Sequence, residues 1–206
     1  MYMVAKKIIK KQEGFALLIS LIVVGVVISV GLSILNLSIT QVRLSDNAKQ
    51  SELAFHAANA GVECARYWRK TASADMLRGY DIAPGCFGEP NTSTERHPIP
   101  GGTDPGRIEN GTAHLYQYEF SWGIEARCTK ISTIIITDVG GTGATLHDVN
   151  QVVDGAGVRA VPGFPETNSE CEVGGQCTIM AVRGYNKACA NIGNFGTTER
   201  EVLLQF

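Results

Sequence analysis

An α+β fold is predicted: one long N-terminal helix laid on a small antiparallel β-sheet and stapled by disulfides. Three observations predict it. The chain has no proline from its apolar start to residue 70, and helical spacing of apolar residues runs through the second part of that stretch. Short strand-like segments follow, separated by Gly- and Pro-rich turns. Six cysteines, Cys64, Cys86, Cys128, Cys171, Cys177 and Cys189, all come after the apolar segment. One helix on one antiparallel sheet is a stable layer pair, and 206 residues suit a single soluble domain joined to such a helix.

The helix begins in an unusual stretch. Residues 14–42 carry no charged side chain, and Lys6, Lys7, Lys10 and Lys11 stand just before them. From Phe15 to Leu35 only three serines interrupt the apolar character. A hydrocarbon core of about 30 Å needs about 20 such residues in helical form, so this segment is long enough to span a bilayer. An ordinary secretory signal has a shorter apolar region and a small-residue cleavage site after it, and neither is found here. Two readings stay open. Either the segment is a plain anchor with its lysines on the cytoplasmic side, or the basic leader is removed before the apolar helix begins.

Beyond Gln41 the helical pattern continues to about Lys70. Leu44, Ala48, Ser51, Phe55, Ala58, Val62 and Ala65 recur at 4-3-4-3 spacing, with Ala54, Ala57, Gly61 and Trp68 widening the stripe. Arg43, Asp46, Lys49, Glu52 and Arg66 belong to the solvent side. The small residues in the stripe allow close approach to a sheet. A helix over Phe15–Lys70 would be about 84 Å long, too long for a domain of this size to bury. The expected division is therefore a leader at 1–14, an apolar transmembrane or fibre-core helix at 15–42, an amphipathic helix at 43–70 and a β-rich head at 71–206.

Within the head, residues 79–111 read as a long irregular connector with one short element at most. His114–Trp122 alternates, with Tyr116, Tyr118, Phe120 and Trp122 on the side expected to meet the helix. Glu125–Cys128 and Lys130–Thr137 continue as strand, and Cys177–Tyr185 and Glu199–Phe206 supply the last two strands. The stretch 138–176 is expected to add a short strand or flap through Val149, Val152, Val153 and Val158. Gly140-Gly141-Thr142-Gly143 has no helical run after it, as a phosphate cradle would require.

Charge and cysteines set the compartment. The net charge is −2, and it becomes −5 without residues 1–14, with 14 basic against 19 acidic residues. No basic, aromatic-interleaved cluster follows residue 70, so nucleic acid is not an expected partner. Cysteines confined to the portion outside the cytoplasm point to disulfides. Six allow 15 pairings. Cys171 with Cys177 would close a short Gly-rich loop, and Cys64 with Cys86 would tie the helix end to the next loop. There is no Cys-x-x-Cys, and His56, His97, His114 and His147 are scattered, so no metal or other cofactor is expected. No nucleophile elbow or paired acid–base motif stands out, and an enzyme is not expected.

The junction Lys10-Lys11-Gln12-Glu13-Gly14-Phe15-Ala16-Leu17-Leu18-Ile19-Ser20-Leu21 resembles the processing region of type IV prepilins and pseudopilins. Those chains have a short basic leader ending in glycine, then a phenylalanine, then a long apolar helix. The resemblance implies a pilin-like fold, cleavage between Gly14 and Phe15 by a membrane prepilin peptidase, and N-methylation of Phe15. It further implies that other pilin subunits are partners through their N-terminal helices, with an assembly ATPase and platform protein acting indirectly. The chain departs from the family pattern at one position. Most members carry glutamate at the fifth mature position, where this chain has Ile19. A carboxylate in an apolar bundle needs a partner, so its loss removes one specific contact. Within the family such a loss is typical of minor, tip-located subunits. The resulting expectation is a minor pilin-like subunit of a type IV pilus or secretion filament, held in the membrane and then carried to the cell surface. The alternative is a single-pass anchor bearing an extracellular binding or adhesion domain that does not assemble.

Overall fold

The computed structural model describes residues 13–90, 93–122, 127–154 and 157–206. The leader lysines and the beginning of the Glu125–Cys128 segment lie outside the described residues. Helix α1 runs Glu13–Thr71 without interruption, with Arg69 and Lys70 in its last turn, where cations complement the exposed carbonyls. A short helix α2 follows at Ser73–Leu77. The chain divides into two compact units, one ending at Ala48 and the other Lys49–Phe206. In the first unit α1 is the whole described structure, and its side chains from Phe15 onward are exposed.

The second unit holds the strands. They are β1 Gly85–Cys86, β2 Glu89–Pro90, β3 Ser93–Ile99, β4 Ile108–Glu109, β5 Thr112–Trp122 and β6 Arg127–Thr137. After them come β7 Ala144–Leu146, β8 Gln151–Asp154, β9 Gly157–Ala160, β10 Ser169–Cys171, β11 Cys177–Tyr185 and β12 Glu199–Gln205. The main sheet has order β12-β11-β6-β5-β3 and is antiparallel throughout. An α+β layout of one long N-terminal helix, packed through its C-terminal part on an antiparallel sheet, is thus observed.

Register explains which side chains meet α1. Tyr118 stands opposite Ile131, Ile131 opposite Val182, and Val182 opposite Val202. That row shares a core with Val62, Cys64 and Ala65 of α1, together with Phe120 and Met180. Tyr118 and Phe120 of the aromatic face of β5 therefore pack on α1 with Trp122 partly buried beside them, whereas Tyr116 packs with Met76 of α2, Ile82 and Ile135.

Small residues set how closely the layers approach. A methyl group at Gly184 would collide with the Ala54 carbonyl oxygen and the Ala58 amide nitrogen, so strand and helix backbones touch there. At Gly61 a methyl would strike the side chains of Thr129 and Val182. Thr129 Oγ1 donates to the Ala57 carbonyl oxygen at 2.9 Å and accepts from Trp122 Nε1 at 3.1 Å, tying the seam with hydrogen bonds.

Three expectations need correction. The buried stripe of α1 is shifted: Ala54, Ala57, Ala58, Gly61, Val62, Cys64 and Ala65 are buried, whereas Leu44, Ala48 and Phe55 are exposed. The seam needs backbone approach, and Phe55 is too large for it. The connector 79–111 is also less irregular than its Gly and Pro content suggests. It supplies β3, which pairs along β5 as the far edge of the main sheet. Pro98 is tolerated there because an edge strand has one side without ladder bonds. Finally, the sheet has a second covered face. Leu115, Ile134 and Ile179 lie in one row and pack under Leu146, Val149, Val152, Val161 and Phe164. The segment 138–176, joined by β4 from the connector, is thus a third layer of small sheets, β10-β7-β4 and β8-β9, although Val158 itself is exposed.

Candidate functional site

The first candidate surface is α1 from Phe15 to Leu44. Its most apolar 18 residues have a mean hydropathy of 2.9, and none of that window is buried. The helix is long and apolar enough to cross a membrane. Gly14 lies in its first turn, directly before Phe15, and Phe15 and Ile19 are both exposed. Ile19 leaves the surface apolar at the place where a carboxylate would require a partner.

Its serine and threonine hydroxyls are satisfied within the helix. Ser20 and Ser29 donate to the carbonyls of Leu17 and Val26, three residues back. Ser33, Ser38 and Thr40 donate to Ser29, Ile34 and Asn36, four residues back. Gly25 and Gly31 have nothing within 4 Å of a built Cβ, so the surface beside them is open. Such a surface suits lipid tails or the apolar helix of a neighbour, since both offer only packing.

The second candidate surface is the rim of the head. All six cysteines are paired: Cys64–Cys86, Cys128–Cys189 and Cys171–Cys177. Cys64–Cys86 ties α1 to the β1–β2 turn, where Phe87 adopts a left-handed backbone (φ 55°). Phe87 stays largely exposed, yet its ring lies about 6 Å from those of Phe120 and Trp122. The short Cys171–Cys177 bridge closes the Gly174–Gly175 loop between β10 and β11. Cys128–Cys189 spans 61 residues and holds the loop that leads from β11 to β12.

That last loop presents Phe195 wholly to solvent. Its backbone is nonetheless fixed. Lys187 Nζ donates to the Phe195 carbonyl oxygen, Asn186 Nδ2 donates to the Gly196 carbonyl oxygen, and Thr197 Oγ1 donates to the Asn194 carbonyl oxygen. Asn186 Nδ2 also reaches Gln50 Oε1 of α1 at 2.8 Å, and Arg200 donates to Ser51 Oγ. Sequence reasoning passed over Phe195 because Asn194-Phe195-Gly196 has the composition of a simple turn. The only local signal was an aromatic side chain within an uncharged stretch.

Polar groups elsewhere on the head form a structural network. Glu119 and Lys130 pair at 2.8 Å across β5 and β6, both partly buried. Arg183 stands opposite Lys130 on one side and Glu201 on the other. Burial raises the Glu201 carboxyl above its ordinary value, with Arg183 opposing and Glu199 adding to the shift. Burial likewise raises Tyr118, and it raises Tyr185 with help from its hydrogen bond to Glu199. Tyr116 is pushed up to about 12, chiefly by burial, and its hydroxyl donates to the backbone oxygens of Met76 and Tyr80. Glu119 comes close to Cys128 and Cys189, but both sulfurs are taken by their disulfide, so the trio offers no metal ligand set.

No protein-family model matches the chain, and no curated protein and no solved structure matches it. The class that geometry defines is therefore a coarse one: a disulfide-bonded α+β head carried on a long helix whose N-terminal part is apolar enough to span a membrane.

Proposed function

We propose that the protein is a minor pilin-like structural subunit of a type IV pilus or a related secretion filament. The observation that carries the reading is the junction of a basic leader, Gly14 and Phe15 with an uninterrupted helix exposed and apolar over its first part. Before assembly, Phe15–Val42 holds the subunit in the bilayer with the head outside the cytoplasm. A prepilin peptidase removes residues 1–14, and the new Phe15 amino terminus is methylated. On incorporation the same surface exchanges lipid for the N-terminal helices of other subunits. Because lipid is already apolar, packing complementarity rather than hydrophobic burial drives that exchange. Extraction is driven from outside by an assembly ATPase through its platform protein. Ile19 favours a minor subunit over the main building block.

The N-terminal residue and mass of the mature protein from its native cells test this. A Phe15 terminus, dependent on a prepilin peptidase and methylated, is the expected result. Retention of Met1 and the lysines would overturn it and leave a single-pass anchor carrying a surface domain.

A further inference from the structure

We infer that the C-terminal end of α1, together with Ser73 and Phe206, forms a binding site for the phosphate group of an organic phosphate. The inference is independent of the membrane and filament reading, since every residue it uses belongs to the unit Lys49–Phe206.

Helical spacing builds the site. Arg66, Arg69, Lys70 and Ser73 stand at i, i+3, i+4 and i+7, so they share one side of the chain as it passes from α1 into α2. The other wall comes from the last strand. Val202 and Leu204 pack toward α1, and Phe206, bonded to Thr178 through both its backbone groups, continues that side. These residues line an open pocket of about 590 Å³ whose wall is more apolar than polar.

Charge says what the pocket lacks. Arg69 is half-buried and fixed: its Nε donates to Thr178 Oγ1 and its Nη1 to Ser73 Oγ, both at 2.9 Å. Burial works against its positive charge. Among the described residues no carboxylate lies within 4 Å of Arg69 or Lys70. Arg66 alone has an acid, the exposed Glu63 at 3.7 Å. The terminal carbonyls of α1 amount to about half a unit of negative charge, too little to balance two cations. A cation held partly out of water calls for a counter-ion, and Arg69 is not free to swing away to find one.

A phosphate monoester meets that deficit. It carries about −1.5 to −2 charge at neutral pH and three acceptor oxygens. The remaining N–H groups of Arg69 and the Lys70 ammonium supply donors. The Ser73 hydroxyl accepts from Arg69 and so keeps its own proton to donate. The alkyl stems of the cations and Phe206 suit the organic body of the ligand.

The test is calorimetric titration of the full chain in detergent with phenyl phosphate, inorganic phosphate and benzoate. Phenyl phosphate should bind one to one and more tightly than the other two, because inorganic phosphate lacks the apolar body and benzoate the second charge. Arg69→Gln and Lys70→Gln should each weaken it about ten-fold, the effect of one lost charge-assisted hydrogen bond. Lys49→Gln, on α1 outside the pocket, should leave binding as it is. Lys70 is exposed, so Lys70→Gln should also keep the wild-type melting temperature, and its loss of binding is then no loss of folding. Absence of phenyl phosphate binding to the wild-type chain overturns the inference. Equal weakening by Lys49→Gln and Lys70→Gln overturns it too, as binding to diffuse charge. Benzoate binding as tightly as phenyl phosphate overturns phosphate as the group recognised.

Discussion

From Phe15 to Leu44, α1 carries large branched side chains and buries none of them, whereas from Ala54 to Ala65 its inner face is mostly alanine and glycine and is almost wholly buried. One continuous helix thus reverses the usual association of hydrophobic bulk with a core. Its bulky part faces outward because only an external apolar medium can cover it. Its slender part faces inward because the sheet comes within backbone distance at Gly184. Side-chain size, more than hydropathy, tells the two parts apart.

The contrast can be broken most strongly through the disulfides, all of which lie in the head. In a chain-entropy account, removing Cys128–Cys189 costs about 4 kcal/mol, Cys64–Cys86 about 3 and Cys171–Cys177 about 2, following loop length. Denaturant unfolding of Cys-to-Ser pairs, made in the full chain in detergent, should give that order. The apolar part of α1 should keep its helical circular dichroism in every variant.

Glycine substitution sharpens the comparison next. Gly184→Ala forces the seam apart and should cost about 3 kcal/mol of head stability. Gly31→Ala meets nothing within 4 Å and should leave head stability unchanged in the same unfolding measurement.

The smallest effect concerns pH. Burial lowers the pKa of His114, Arg96 lowers it further, and Asp138 partly opposes them. The folded head therefore holds this ring neutral at pH values where the unfolded chain takes up a proton. The contribution is intact above the unfolded value of about 6.5 and is lost as pH falls below it. As pH falls below about 6.5, His114→Gln should flatten the decline in melting temperature relative to wild type.

The helix was legible in the sequence to within two residues, because an uncharged run and a proline-free amphipathic run leave little choice. The strands β5, β6, β11 and β12 were legible from β-branched and aromatic alternation. β3 was not, since Pro98 and the surrounding Gly and Pro residues speak for a loop, and only pairing with β5 makes that segment extended. The third layer was hidden for a related reason. Its strands are two to four residues long, too short for periodicity, and Val149 and Val152 find their place only against Leu115 and Ile134. Cysteine spacing suggested Cys64–Cys86 and Cys171–Cys177, but the 61-residue span of Cys128–Cys189 has no local signature. At the rim, Phe195 depended on hydrogen bonds from Asn186 and Lys187 that no linear pattern announces.

The hydroxyls of Ser20, Ser29, Ser33, Ser38 and Thr40 all turn back to carbonyls of their own helix. The rod therefore owes no hydrogen bond to its surroundings along those positions. At those five positions it can trade one oily neighbourhood for another without breaking a polar contact.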